Sequence, residues 1–533
     1  PKNSSTVQKH KIALLQAKED IRIMLRYDDR RSGSFRRKIL SHSIMTGYRF
    51  DTIIIGSGMS GLIASLMLTP KQKILIVTKR SIGTSSTNLA QGGIAAVQSE
   101  KDDFHKHAKD TLIAGRFHNK TKTVEEMIHL APSIIKLMAR LGVPFDTSLH
   151  LEAGHSMPRI AHVKDATGRY IEKTLRAEVL RQKNITIWEN SMALNLITKN
   201  GTCRGVMVIK NRRIKNVFTG NVILATGGIG QIYKYTTNPE VATGDGIAMA
   251  LRSGAKLKDM EFVQFHPTAL LSGDEPKFLL SEALRGAGAK LVNVKKQSIM
   301  PKYDSRAELA PRDVVARAVF QEQKRGNVYL YIGKKDMAKN FPTISRTIKK
   351  QLKKNLEKNL IPITPAAHYL CGGVAVNRHG KTSIKNLYAI GECAYTGLHG
   401  ANRLASNSLM EAGIMGILSA KHILKKQRRD EKIMVPVPVL AWEKKFPSTK
   451  KKIKLSYVRE KIREIMWKHV GIERSKNGLR KAILELRALQ EKLPEVPLNA
   501  DTAEIRNMLD VSLCITKAAL KRKKSLGCHF RRD

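Results

Sequence analysis

The chain has 533 residues, enough for several domains of about 100–200 residues each. Its 42% hydrophobic and 26% charged content is that of a globular protein and excludes wholesale disorder, and no apolar run reaches the roughly 18 residues of a spanning helix. The formal charge is +50, from 95 Lys+Arg against 45 Asp+Glu, a balance that raises the question of a polyanion partner.

The distribution of that charge argues against a dedicated binding patch. Residues 1–44 carry 11 basic and 4 acidic side chains, residues 421–533 carry 30 and 13, and the rest of the excess is spread between them. This reads as a solvated basic surface. A basic polyanion-binding protein is the non-enzyme alternative. No helix-turn-helix, RNP or zinc signature accompanies the charge, so no specific nucleic acid is expected. Five cysteines with no CxxC pair speak against a disulfide scaffold and a thiolate zinc site, and they fit a reducing compartment.

Residues 1–44 read as a basic, disordered extension with an amphipathic pattern over Lys11–Arg26. Its Arg and Ser suggest targeting, but Glu19, Asp20, Asp28 and Asp29 run against a transit peptide, and there is no apolar h-region. From Asp51 the signal sharpens. Thr52–Ile55 predicts a buried strand that runs into Gly56-Ser57-Gly58-Met59-Ser60-Gly61, then a helix to Leu68, then a strand over Ile74–Val77. This is a βαβ unit with a dinucleotide turn: Gly56 for the bend, Gly58 for close approach to a pyrophosphate, Gly61 for helix packing, and helix N–H groups for the phosphates. The second strand should end in an acid for the ribose. It ends in Thr78-Lys79-Arg80, which weakens a plain NAD reading and leaves FAD open, with Lys79 or a backbone group on the ADP half.

Further along, Ser85 to Ile94 includes Ser86, Thr87, Asn88, Leu89, Ala90, Gln91, Gly92 and Gly93; small hydroxyls and paired glycines let a backbone lie against a flat ring. Asn221–Ala225 predicts a strand ending in Thr226-Gly227-Gly228, and Thr243–Gly246 contains Asp245. Leu387–Ile390 ends in Gly391-Glu392, an acid suited to a ribityl chain, and Ser408 and Leu409 follow. Beyond Pro436 and Pro438 the apolar positions Leu479, Ile483, Leu486 and Leu489 have helical spacing, and Pro494 and Pro497 interrupt the helices.

Ten segments occur in one order between about residues 51 and 415: GSGMSG, SSTNLAQGGIAA, LATGG, TGDGIAMA, EFVQFHPTAL, SEALRGAGA, ELAPRDVVARA, PAAHYLCGG, AIGECA and GANRLASNSLMEA. Together they resemble the flavoprotein family of succinate dehydrogenase, fumarate reductase and L-aspartate oxidase. The resemblance implies FAD and an α/β, doubly wound, Rossmann-like FAD-binding domain in two parts, 45–258 and 370–435. An α+β capping domain, 259–369, interrupts it, and a C-terminal α-helical bundle, 436–533, follows.

Within the family the resemblance favours the L-aspartate oxidase branch. Ser86 stands where membrane-complex dehydrogenases carry the histidine that bonds covalently to flavin, so FAD should be non-covalent. Glu152, in LEAGHSMPRIAHVKDATGR, stands where the dehydrogenases have a glutamine, and it can meet the ammonium of aspartate. Ala153 and Leu151 depart from the branch's usual glycine and arginine, and the preceding loop is short. By the same resemblance His266, Thr268, His368 and Arg403 bind the substrate carboxylates, three of them as cations. Arg312 donates a proton in the reductive direction, with Glu282 and Arg285 as its relay. The implied reaction oxidises L-aspartate to iminoaspartate, with O2 (giving H2O2) or fumarate as acceptor. It is the first step of de novo NAD biosynthesis, coupled to quinolinate synthase, in the cytoplasm or, in a plastid version of the family, in that organelle. A soluble fumarate reductase or a succinate dehydrogenase flavoprotein subunit is the enzyme alternative.

Overall fold

The computed structural model describes residues 48–68, 72–429, 454–493 and 499–533. The basic extension, the Pro436–Pro438 stretch and the Pro494–Pro497 break lie outside the described residues.

The main sheet is built from β1 (Tyr48–Ile55), β2 (Ile74–Val77), β3 (Ile185–Trp188), β4 (Met192–Lys199), β5 (Thr202–Lys210) and β6 (Arg213–Leu224), in the order β3-β2-β1-β6-β5-β4. β3, β2, β1 and β6 are parallel, and Leu387–Ala389 adds a further parallel strand beside β6. Parallel strands are covered on both faces, which is why Thr52–Ile55 and Ile74–Val77 are buried throughout. β4, β5 and the first half of β6 form an antiparallel meander. Asn200 and Gly201 turn one end and Asn211 and Arg212 the other, all four with positive φ, as two-residue hairpins demand.

β1 passes into helix α1 (Met59–Met67) through Gly56, whose φ is +107°. A Cβ on Gly56 would lie 2.1 Å from the Ala225 carbonyl oxygen, and one on Gly61 would lie 2.4 Å from the Gly56 oxygen. The glycines thus let the turn, the helix and the end of β6 converge. Helix α2 (Asp245–Arg252) starts at Asp245 and packs on β4.

A separate sheet follows. β7 (Val263–Leu270), β8 (Lys290–Val292), β9 (Tyr329–Tyr331) and β10 (Ile361–Leu370) pair antiparallel in the order β7-β10-β9-β8. With α3 (Glu282–Gly286) and α4 (Arg312–Gln323) this sheet surrounds its own apolar core, which includes Leu270, Leu280, Val315, Ile344 and Ile361. The register of β7 against β10 shifts on either side of Phe265 and His266, an irregularity that re-aims side chains beside a site.

Helix α5 (Asn407–Arg429) returns to pack on α1. The last helices, α6 (Leu455–Val470), α7 (Lys476–Glu491) and α8 (Ala500–Lys521), pack against one another, and α8 also packs on α2. Leu479 and Leu486 are buried, and Ile483 and Leu489 lie against the core. Asn499 and Thr502 form a capping box that starts α8. No helix among the described residues is long and apolar enough to cross a membrane.

The close approach at Gly56 makes a direct prediction. Gly56→Ala should destabilise the fold by several kcal/mol, on the order of the cost of strained backbone plus a core clash. A urea titration of both variants checks this: Gly273→Ala, where an added Cβ meets nothing within 4 Å, should be neutral.

Candidate active site

One cavity of ≈360 Å³ runs between the two sheets. Every sequence-predicted site residue lines it except Gly61, Asn88, Thr268 and the relay residue Arg285. Gly61 packs behind the turn, and the Asn88 N–H donates to Ser85 Oγ. The Thr268 hydroxyl donates to the Leu280 carbonyl at 2.9 Å, while its backbone N–H donates to His266 Nδ1 at 3.2 Å. Thr268 therefore reaches the cavity through His266.

Arg312, the first residue of α4, anchors the far end. Its Nε donates to Glu282 Oε2 at 2.8 Å, its Nη2 lies 2.7 Å from the same oxygen, and its Nη1 donates to Gln264 Oε1 at 2.9 Å. The other Glu282 oxygen accepts from Arg285 Nη2, so Arg312, Glu282 and Arg285 form a continuous chain. Burial alone would raise the Glu282 carboxyl, but Arg312 and Arg285 outweigh it and hold it at about 2. Gln264 stands two residues before His266 on β7 and so on the same face; it also donates Nε2 to the Asn402 side chain and to the Arg403 carbonyl. The sequence reading missed Gln264, although that spacing was available to find it.

His266 and His368 sit with ring centroids 5.1 Å apart. Burial first, then Arg312, pushes both imidazoles well below their ordinary value. The structure therefore corrects the expectation of histidine cations: both rings are neutral. His266 Nδ1 accepts a backbone N–H, so its proton is on Nε2, which is buried with no partner among the described residues. His368 Nδ1 pairs with Thr237 Oγ1 at 2.7 Å. Thr237 lies in a loop and carried no sequence signal.

Arg403 donates Nη1 to Ser408 Oγ at 2.6 Å, and its guanidinium lies 4.3 Å from the Tyr369 ring centroid. Burial, then Arg312, lowers it to about 10; it remains charged at neutral pH. The Tyr369 hydroxyl is in turn fixed by His399 Nε2 and Glu411 Oε2, each at 3.1 Å. Residues near the end of the chain brace the same loop. Cys528 N donates to the Ala401 carbonyl at 2.9 Å, Cys528 Sγ to Asn402 at 3.3 Å, and Arg317 to the Gly527 carbonyl at 2.9 Å.

Glu152 is buried, with Oε2 accepting from Ser406 Oγ at 2.6 Å. A Cβ at Gly92 would come within 2.6 Å of Glu152 Oε1, so Gly92 makes room for the acid. Burial, then Glu282, pushes the Glu152 carboxyl up, against Ser406, Arg312 and Arg403. Its loop is pinned by Arg159, which is fully buried and bidentate on Asp102 at 2.8 and 2.8 Å, with Asp110 at 2.5 Å. His155, lowered to about 3 mainly by burial, accepts from Arg159 on Nδ1 and donates Nε2 to the Ala405 carbonyl.

At the other end the α1 turn meets Lys79 and Asp245, whose side chains are joined at 2.8 Å. Gly58 caps α1 with no side-chain bond, so the helix end faces the cavity with most of its first N–H groups uncapped by side chains; Thr87 takes that of Met59. Near the middle, a Cβ at Gly228 would lie 2.1 Å from Glu392 Oε1. This glycine-lined trough, an open helix N-terminus and the half-buried acid Glu392 fit a flavin dinucleotide, with Ser86 giving no covalent attachment.

The fold and this trough define an FAD-binding flavoprotein: residues 51–409 match the family model "FAD binding domain", and residues 459–533 match "Fumarate reductase flavoprotein C-term". The chain belongs to the L-aspartate oxidase branch of the succinate dehydrogenase and fumarate reductase flavoprotein family. It is 40% identical to L-aspartate oxidase 1 of Ralstonia nicotianae, covering 91% of this chain and 95% of that one. It is 37% identical to the Synechocystis L-aspartate oxidase, covering 92% and 95%. Among solved structures, the FrdA chain of E. coli quinol fumarate reductase superposes with a TM-score of 0.86 at 29% identity, covering 92% of each chain.

Burial pushes the Glu392 carboxyl up to about 7 from 4.5. The folded chain thus holds this proton more tightly than the unfolded one, and the contribution of Glu392 to stability is intact below about 4.5 and declines as pH rises to about 7. Urea unfolding of the apoprotein should show wild type losing stability relative to Glu392→Gln across that window and running parallel to it above.

Proposed function

We propose that the chain binds FAD non-covalently and oxidises L-aspartate to iminoaspartate, passing the electrons to O2, with H2O2 as product, or to fumarate, with succinate as product. The observation that carries this reading is the convergence of Arg312, Arg403, His266 and His368 on one cavity that also contains the buried acid Glu152.

FAD, when bound, supplies the hydride acceptor. The protein's part is positioning and charge. Arg403 grips one carboxylate of the dicarboxylate through its guanidinium fork. His266 donates Nε2–H to a carboxylate oxygen, and His368 faces the same end; neutral donors there orient the substrate without adding charge. Glu152 takes the ammonium, which offsets the cost of burying the carboxylate. Because its carboxyl is already pushed up, it can also accept the ammonium proton that must leave before the α-hydrogen departs as hydride. In the reductive direction Arg312 gives a proton to the carbon of fumarate and is reprotonated along Glu282 and Arg285. Clamping both ends of the substrate fixes the reacting carbon, the main rate contribution such a site makes.

The division into two FAD-domain parts, 45–258 and 370–435, a cap at 259–369 and helices beyond 436 is part of this proposal, supported by the cap's own apolar core. So are a cytoplasmic location, in keeping with five free cysteines, and delivery of iminoaspartate to quinolinate synthase at the start of NAD biosynthesis.

L-Aspartate added anaerobically should bleach the flavin absorbance of the FAD-loaded protein, and D-aspartate should not. A flavin that stays oxidised with L-aspartate while the protein reduces fumarate from a viologen would transfer the assignment to a fumarate reductase. Glu152→Gln should cut kcat/KM for aspartate by about 100-fold or more, in line with truncating a buried charge pair, and fumarate reduction by less than about fivefold. Arg403→Lys, lacking the fork, should impair both reactions alike.

A further inference from the structure

In dinucleotide folds the position just past the second strand is where an acid meets the cofactor's ribose. Here β2 ends at Val77 and that position is held by Lys79. Its ammonium donates to Thr243 Oγ1 at 2.6 Å, Asp245 Oδ2 at 2.8 Å and Glu504 Oε1 at 2.5 Å. Three bonds saturate an ammonium, so the Lys79 side chain has no donor left for a ligand. The acid at this end of the cavity is Asp245, at the start of α2.

Both oxygens of Asp245 are held. Oδ2 is on Lys79, and Oδ1 accepts from Asn507 Nδ2 at 2.8 Å and from Thr243 Oγ1 at 3.0 Å. Asn507 and Glu504 are both on α8, one turn apart, and neither lines the cavity. The second Glu504 oxygen lies 2.5 Å from Arg459 on α6. The helical end of the chain therefore clamps the group that faces the ribose position, through two carboxylates balanced by two cations.

We propose that Glu504 and Asn507 of α8 are positioning residues for the adenosine half of FAD, so that the C-terminal helices set the affinity for the cofactor. This rests on the FAD reading above. Without the Glu504 charge, Lys79 has only Asp245 as its anion and draws that carboxylate toward itself, away from a ribose hydroxyl, while Arg459 loses its partner.

The test is flavin titration of the apoprotein, followed by flavin fluorescence, with FAD and with FMN, which lacks the adenosine. Glu504→Gln should weaken FAD binding at least tenfold and Asn507→Ala at least threefold, with FMN affinity changed less than twofold in both. Lys517→Ala, exposed on the same helix, should alter neither. Equal FAD affinity in wild type and both α8 variants overturns the proposal. So does a parallel loss of FAD and FMN, which would make these residues supports of the fold only. Should Glu504→Gln fail to fold by circular dichroism, the FAD-to-FMN ratio of Asn507→Ala decides alone. A wild type that takes up no FAD at all would instead remove the functional reading, and this inference with it.

Discussion

The ion pair between Arg312 and Glu282 organises the electrostatics of the whole cavity. Both groups are buried, and a charge taken out of water is tolerated only with a partner and further hydrogen bonds. Glu282 has two guanidiniums, and Arg312 has Glu282 and Gln264. The other titratable groups then respond to this pair. Arg312 helps to keep His266 and His368 neutral and to lower Arg403, and Glu282 helps to raise Glu152. The two arginines facing one hollow are stable apart only because each has its own support, Glu282 for one and the Tyr369 face with Ser408 for the other. A doubly negative small molecule is the natural complement of that arrangement.

The architecture explains how such a cluster is assembled from distant parts of the chain. The parallel sheet supplies the dinucleotide turn and the glycine trough. The smaller sheet, with a core of its own, brings His266 on β7, His368 on β10 and Arg312 on α4. Arg403 and Ser408 come from the segment that enters and begins α5. The site thus lies between the parallel sheet and the smaller one: strands and a helix supply His266, His368 and Arg312, while Glu152 and Arg403 stand on loops braced by buried hydrogen bonds.

Much of this was legible in the sequence, for physical reasons. A parallel strand covered on both faces is written as an unbroken apolar run, so Thr52–Ile55, Ile74–Val77 and Leu387–Ile390 could be read directly, the last strand closing one residue earlier, at Ala389. The glycines of the turn announce a close approach that a Cβ forbids. Of the meander only the end of β6 was read, within Asn221–Ala225; β4, β5 and the start of β6 mix buried with half-buried positions and carry Lys or Arg at their turns, as in Thr202–Lys210. The supports of the site were hidden too. Arg159 meets Asp102 and Asp110, and Tyr369 meets His399 and Glu411, across separations that no local spacing encodes. The charge state of His266 and His368 is a property of burial and of neighbouring guanidiniums, not of residue type, and the sequence reading took them for cations for that reason. Thr268 had the right motif, but its hydroxyl is taken by Leu280.

The contacts of Gly527 and Cys528 with Ala401, Asn402 and Arg317 bear on how the molecule matures. The loop carrying Arg403 is held in part by residues synthesised more than a hundred positions later. The glycine-rich turn and the parallel sheet precede that brace in the chain, and the loop behind the guanidinium gains its support only once Gly527 and Cys528 have docked. Ordering of the Arg403 loop therefore comes late in folding, because it waits on contacts of high sequence separation.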